Sequence, residues 1–383
     1  MDATKTELTT ARQRVIAAYR TAGIITLNTV LLLVLVNVVM AVLGLPRDKA
    51  IDDLGRRVLN QYGEERLLKA YPDWTLTDLR QLHQECWGNE LVYDSFAGYK
   101  ELPREGKFVN VDINGFRHIK DQAVWPPDTN NLNIFVFGGS TTFGYGLPDH
   151  ETIPSFLQQL LREEEQPKPA AVYNFGRAYY YSSQERVLFE KLLIAGFRPD
   201  IAIFIDGLNE VLTPDDTPIN PHWLRDQPTE TLINRLPLIR LVNQLAPQDT
   251  PRPAAVPKGI PTILSQDPVE VVCLRYLHNQ DLLRSAAKLH EVQVLFVWQP
   301  IPDYHPNAAA HPYWQRDDQS QEAAAYHYLE PRLTGENNPK DFLWAADLQE
   351  GRKQILYVDE VHYSAAFSKI IAEAISSVLN AGE

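Results

Sequence analysis

Cysteine is scarce. Cys86 and Cys273 are the only two in 383 residues, far apart and without a Cys-x-x-Cys spacing. A disulfide scaffold or a cysteine-rich zinc module is thereby excluded, while a single bridge stays open and the compartment is not set. Basic charge is also in short supply, with 36 Lys and Arg against 49 Asp and Glu and a net charge of -13. Affinity for a phosphate backbone comes largely from Lys and Arg, so this balance argues against nucleic acid as a partner. Internal repeats and low-complexity blocks are absent. The remaining composition, 44% hydrophobic, 10% aromatic and 22% charged, is that of a folded globular chain with a sizeable core.

Long apolar runs are missing as well, with one exception. Ile24 to Leu45 carries no charge, and at about 1.5 Å rise per residue it spans the ~30 Å hydrocarbon core of a bilayer. A cleaved signal peptide is the rival, but its apolar region runs to about 7–15 residues and no A-x-A site precedes Pro46. A buried core helix fails because every face is apolar and Arg12, Arg14, Arg20, Arg47 and Lys49 stop abruptly at the two ends. We read 24–45 as a transmembrane helix in contact with lipid, with Asn28 and Asn37 as helix-contact positions. The flanking charges do not decide orientation. The short tail 1–23 and the long remainder suit an anchor with its N-terminus inside, which places the rest of the chain on the extracytoplasmic, periplasmic side.

Residues 46 to about 90 mix charged and apolar residues at helical spacing and read as a juxtamembrane stalk. Phe108–Ile113 and Phe116–Ile119 flank Asn114-Gly115, a dipeptide favoured in tight hairpin turns, so a hairpin is expected there, closing a region that ends near 130. Beyond Trp125, short apolar runs at Leu132–Phe137, Ala171–Phe175, Ile201–Ile205, Val292–Trp298 and Ile355–Val358 alternate with helical stretches near Ile153–Arg162, Gln184–Ile194, Val269–Leu289 and Ala365–Leu379. That alternation predicts an α/β domain over 131–383, a mostly parallel sheet covered by helices on both faces. Eleven of the 27 prolines fall between Pro214 and Pro268 with little periodicity, which reads as an insertion forming a lid or rim.

Ligands in such a fold sit at the carboxyl ends of the strands, and four strand ends carry polar chemistry. The first is Gly138-Gly139-Ser140, where glycines let the backbone approach a substrate closely and the Ser140 N–H can face an oxyanion. It is neither a Gly-x-Ser-x-Gly elbow, because position 142 is Thr, nor a P-loop, because Lys-Ser/Thr is lacking. The last is Asp359-Glu360-Val361-His362, in which His362 is the only histidine of ten with an aspartate three residues earlier. That carboxylate can hold the imidazole tautomer while the other ring nitrogen takes a proton. Between them lie Gly176 after the second strand and Asn209 after the third, whose N–H donors are of the type that stabilises tetrahedral charge. Taken singly each has an ordinary account: turn glycines, a helix N-cap, a surface histidine.

In this order, Ser140 in Gly-Gly-Ser, Gly176, Asn209 in Gly-Leu-Asn-Glu and Asp359-Glu-Val-His362 resemble the four signature blocks of the SGNH (GDSL-type) hydrolases, over about residues 130–383. The resemblance implies a three-layer α/β/α, flavodoxin-like fold, with Ser140 as nucleophile, His362 as general base and acid and Asp359 as orienting carboxylate. It also implies an oxyanion hole from Ser140 N–H, Gly176 N–H and Asn209. Gly139 stands where the family has Asp, and Glu210 where Asp commonly follows the Asn. An N-terminal anchor ahead of such a domain resembles members acting on acylated polysaccharides, with a polysaccharide-modifying membrane partner.

Arg117, Tyr145 and Trp298 are candidate substrate contacts, and Tyr179–Tyr181, Tyr304, Tyr313, Trp314 and Trp344 are further candidate stacking faces for sugar rings. His305 and His311 near Asp303 are too loose for zinc; no metal or cofactor is expected. The expected activity is an esterase acting on an acylated, chiefly acetylated, glycan or a small ester. An O-acyltransferase with the same triad, a non-catalytic glycan-binding or assembly subunit and a lipid-directed esterase remain as alternatives.

Overall fold

The computed structural model describes residues 2–43, 45, 58–164, 167–216, 218, 236–245, 267–307, 310–311, 313 and 320–381. They fall into two compact units. The smaller, Met1–Lys49 with Arg225–Val256, contains α1 (Asp2–Val42) and α8 (Pro237–Leu245). Within α1, Gln13–Val42 is long and apolar enough to cross a membrane and buries none of its residues. The helix starts upstream of Ile24 because nothing in the tail stops it, and it ends at Val42, ahead of Pro46, which cannot continue a helix. Asn37 is a helix contact as expected: its Nδ2 donates to Leu33 O at 2.8 Å and its Oδ1 accepts the Leu238 N–H at 3.0 Å. The proline-rich insertion 214–268 therefore contributes a helix packed on α1, and most of the remainder of the expected lid lies outside the described residues.

The larger unit, Ala50–Leu224 with Pro257–Glu383, opens with α2 (Glu64–Leu68), α3 (Leu76–Trp87) and a hairpin of β1 (Leu91–Asp94) and β2 (Gly98–Glu101). There follow β3 (Leu132–Gly138), the one-turn α4 (Ser140–Phe143), α5 (Ile153–Glu163), β4 (Ala170–Asn174) and α6 (Ser182–Ile194). Next come β5 (Ile201–Asp206), α7 (Leu208–Leu212), α9 (Pro268–Leu289) and β6 (Gln293–Trp298). The chain closes with α10 (Gln321–Leu333), β7 (Phe342–Trp344) and α11 (Ala365–Ala381). β3 to β7 form one sheet in the order β4-β3-β5-β6-β7, parallel throughout. This is the expected α/β architecture.

Side-chain alternation along the strands sorts the core into two layers. Phe135, Phe137, Tyr173, Phe204, Phe296 and Trp298 face one side, packed with α6, α9 and α10. Ile134, Val136, Val172, Ile203, Leu295 and Val297 face the other, under α5 and α11. With both faces covered, the strands are apolar at nearly every position.

Three expectations are corrected. The stretch read as a stalk is folded into the aromatic layer, with Leu67, Tyr71, Leu79, Leu82 and Cys86 buried in it. The expected hairpin at 108–119 keeps its turn, with Gly115 N–H donating to Asp112 O at 2.9 Å, but its strands reduce to isolated bridges. The reason is that carboxylates take the N–H groups a ladder would need: Glu85 accepts from Lys107, Phe108 and Val109 at 2.7–3.0 Å, and Asp149 accepts from Asn110 at 3.1 Å. The hairpin proper is β1–β2. The run Ile355–Val358 is not a strand either. Leu356 N–H donates to Ala310 O and Val358 N–H to His362 O, both at 2.9 Å, closing a tight loop, and β7 takes the fifth place in the sheet. Cys86 and Cys273 are both free and buried.

Candidate active site

Ser140 is the first residue of α4, so its own N–H has no acceptor within that helix. The preceding glycines are demanded by close packing. A Cβ on Gly138 would stand 2.1 Å from Thr142 Oγ1, and one on Gly139 would stand 2.3 Å from Asn209 Nδ2. The second contact shows the Asn209 amide packed directly against the Gly139 backbone, the residue before the serine. Thr141 is fixed from behind, its hydroxyl donating to Gln299 Oε1 at 2.7 Å.

Asp359 and His362 arrive on the loop before α11. Asp359 Oδ1 accepts the N–H groups of Val361 (2.9 Å) and His362 (2.8 Å), and Oδ2 lies 2.7 Å from His362 Nδ1. Burial pushes this carboxyl up, but the imidazole and the two backbone donors outweigh it and hold its pKa at about 2. An ionised Asp359 can only accept, so the Nδ1 proton points at it and Nε2 carries the lone pair. Nε2 lies 2.9 Å from Ser140 Oγ. A serine hydroxyl, an imidazole and a buried carboxylate are thus in line, and that arrangement can generate an alkoxide nucleophile and return its proton to a leaving group.

Asn209, on α7, is buried and donates one Nδ2 proton to Tyr180 O at 2.7 Å, leaving its second for a ligand. Gly176 is corrected. Its N–H donates to Asn174 Oδ1 at 3.0 Å, and the place of its missing Cβ is closed by the Thr142–Phe143 backbone, so it offers no donor to the site. Arg117 is corrected too. Fully buried, it spends its guanidinium on Asp149 (3.0 Å) and on the carbonyls of Phe143, Gly144 and Leu147, where it clamps the turn after α4 and touches no open surface. Trp298 is likewise a core residue, wholly buried between Tyr276 and Tyr326. Tyr145 is at the site, its ring stacked on His362 at 5.5 Å. Of the candidate stacking faces, Tyr180, Tyr181, Tyr304 and Tyr313 are buried and Trp344 is half-buried. Tyr179, at φ +57, is 46% exposed, and Trp314 lies outside the described residues. His311 does not join His305; its Nε2 lies 3.0 Å from Glu360 O, bracing the Asp359 turn.

Sequence reasoning missed the wall built by α2 and α3. Trp87 stands edge-on to His362 at 6.0 Å, and His83 stacks on Trp87 at 4.6 Å with neither ring nitrogen bonded. Burial lowers the His83 pKa to about 4, so it is neutral near pH 7. Gly146, at φ +80, packs against Trp87: its absent Cβ would meet Val358, Tyr71 and Trp87. The stripe Leu79, Leu82, His83, Cys86 at helical spacing was the available signal, since it marks a buried face with a histidine in it.

Compared with known proteins, no family model matches the chain and no curated protein does. Among solved structures it is similar to an acetylxylan esterase from Geobacillus stearothermophilus, at 16% identity over 64% of this chain and 93% of that one, with a TM-score of 0.39. It is also similar to the acetyl xylan esterase AlAXEase (14% identity, 64% and 99% covered, TM-score 0.37). A third is a psychrotrophic esterase from Pseudoalteromonas sp. (11% identity, 66% and 98% covered, TM-score 0.38).

Proposed function

We propose that this chain is a membrane-anchored serine esterase of SGNH type that removes acyl groups, acetyl among them, from glycans on the extracytoplasmic side. The observation that carries the reading is the alignment of Ser140 Oγ, His362 and Asp359 at 2.9 and 2.7 Å. Ser140 Oγ attacks the ester carbonyl as its proton passes to His362 Nε2. The Ser140 N–H and the second Asn209 amide proton receive the oxyanion. His362 then protonates the departing sugar oxygen, and water, deprotonated by the same nitrogen, releases the acyl-enzyme. The half-exposed Tyr179 ring supports a pyranose partner, because a flat apolar face stacks on a sugar ring. The helix Gln13–Val42 supports the anchor and a bilayer partner.

Transfer of the acyl group to a sugar hydroxyl, within a polysaccharide-modifying membrane assembly, is the second reading. The rings of Tyr145 and Trp87 on two sides of His362 favour it by restricting water at the proton-transfer nitrogen. The test is a serine-directed phosphonate on the detergent-solubilised chain, followed by acetate release from an acetylated oligosaccharide with and without acceptor. Labelling at Ser140 that disappears in His362→Ala is the expected result, and acceptor-independent acetate release marks the esterase. Labelling elsewhere, or none, overturns both readings.

A further inference from the structure

The proline-rich insertion returns to α1 as α8, and the two helices are joined through one side chain. Asn37 is one of two asparagines in the uncharged run Ile24–Leu45, and its Oδ1 accepts the Leu238 N–H of α8 at 3.0 Å. The first four N–H groups of a helix have no partner within it, and in hydrocarbon each one left unpaired is costly. α8 begins with Pro237, which has no N–H to satisfy, and Asn37 takes the N–H of the next residue. The start of α8 is thus prepared for surroundings poor in water.

Residue pattern and depth point the same way. At about 100° per residue, Leu238, Leu241, Val242 and Leu245 fall on one arc of α8 with Ile239 at its edge, and Arg240, Asn243 and Gln244 fall on the other. Val242 is 53% exposed, and Leu236, just ahead of the helix, 41%, so packing on α1 leaves apolar surface uncovered. Asn37 stands five residues before the end of α1 at Val42, which is about 8 Å along the axis at ~1.5 Å per residue. An amphipathic helix lying in a membrane interface seats its apolar face about 5–10 Å deep. The two depths agree.

We propose that α8 is an interfacial helix whose apolar arc lies in the lipid of the bilayer that α1 crosses, on the side where α1 ends. The inference rests on the reading of α1 as a membrane anchor. Lipid is the occupant because the arc starts at Leu238, beside Asn37, and so adjoins the apolar surface of α1, which buries none of its residues; both helices belong to one compact unit. The part of the insertion that α8 occupies then serves as a second attachment to the membrane.

The experiment uses the full chain carrying Val242→Cys, labelled with the environment-sensitive dye NBD and reconstituted in vesicles of phosphatidylcholine and phosphatidylglycerol. Cys86 and Cys273 are buried, and the unsubstituted chain gives the blank. Emission is quenched from the lipid side by doxyl-labelled acyl chains and from the water side by iodide. A second chain labelled at Leu31→Cys, a position 57% exposed on α1, tests the anchor by itself. At position 242, doxyl lipid should lower emission about twofold, and iodide quenching should be at least about fivefold weaker than for the free cysteine adduct of the dye. Position 31 quenched by doxyl lipid while position 242 is quenched by iodide alone overturns the proposal and leaves the anchor standing. Shielding of position 242 from both quenchers puts protein, such as a second copy of the chain, on the arc and overturns it as well. Iodide access at position 31 overturns the anchor reading and this inference with it.

Discussion

Two histidines of this chain lie against carboxylates in opposite surroundings. The side chains of His362 and Asp359 are 13% and 7% exposed, and those of His305, Asp347 and Glu350 are 38%, 47% and 53% exposed. At the first, one carboxylate with two backbone donors faces one ring nitrogen, and the other nitrogen meets a hydroxyl. Low solvent access makes each bond directional, so the arrangement moves a single proton along a fixed line. At the second, two carboxylates converge on one nitrogen at the surface, where a simple ion pair is worth little. The same residue types therefore line up for proton transfer in one place and form an exposed ion pair in the other, and burial with partner count makes the difference.

That contrast can be broken in steps. Ser140→Ala should lower ester turnover by about 10⁶-fold, and His362→Ala by a similar amount, because triad members act as a unit. Asp359→Asn should lower kcat by about 10⁴-fold, since an amide holds the imidazole in the wrong tautomer, with Ser140 labelling by phosphonate slowed in parallel. Arg117→Met strands Asp149 and three carbonyls behind α4 and should cost about 3–5 kcal/mol, read as a lowered denaturant midpoint with no fall in substrate affinity of the folded fraction.

Acid separates the wall from the triad. The Asp359 pKa is lowered from 3.8 to about 2 on folding, so its stabilisation is present above about pH 4 and is lost as pH falls toward 2. The His83 pKa is lowered from 6.5 to about 4, so the unfolded chain takes up that proton first and stability already declines from pH 6.5 down to 4. His83→Phe should reduce the decline of the unfolding midpoint between pH 6.5 and 4, where His150 and His311, whose pKa values burial also lowers, still contribute, and leave the fall below 4 in place. The smallest effect is expected of Glu350→Gln, which removes only an exposed ion-pair partner of His305, and ester turnover should stay within about twofold.

Much of this was legible from neighbours in the chain. The strands are apolar runs bounded by glycine and polar residues, and Ser140 and Asn209 follow the carboxyl ends of β3 and β5, where a parallel sheet collects polar groups, whereas Asp359 and His362 come from the loop before α11 and not from a strand end. Gly176 was misjudged because the availability of its N–H depends on the rotamer of Asn174. Arg117 and Trp298 were misjudged because the same side chains that bind ligands at a surface fill and clamp a core. The α2–α3 segment looked like a stalk because helical spacing reports a buried stripe without saying what covers it.

Alternation, turn chemistry and the placement of a serine after a strand are properties of adjacent residues, set by backbone geometry over a few positions, and the linear chain contains them in full. Which N–H is already taken, whether a guanidinium reaches solvent, and that His305 belongs with Asp347 and Glu350 instead of Asp303 depend on packing between distant segments. Those outcomes follow from desolvation and close contact, which exist once the layers have closed.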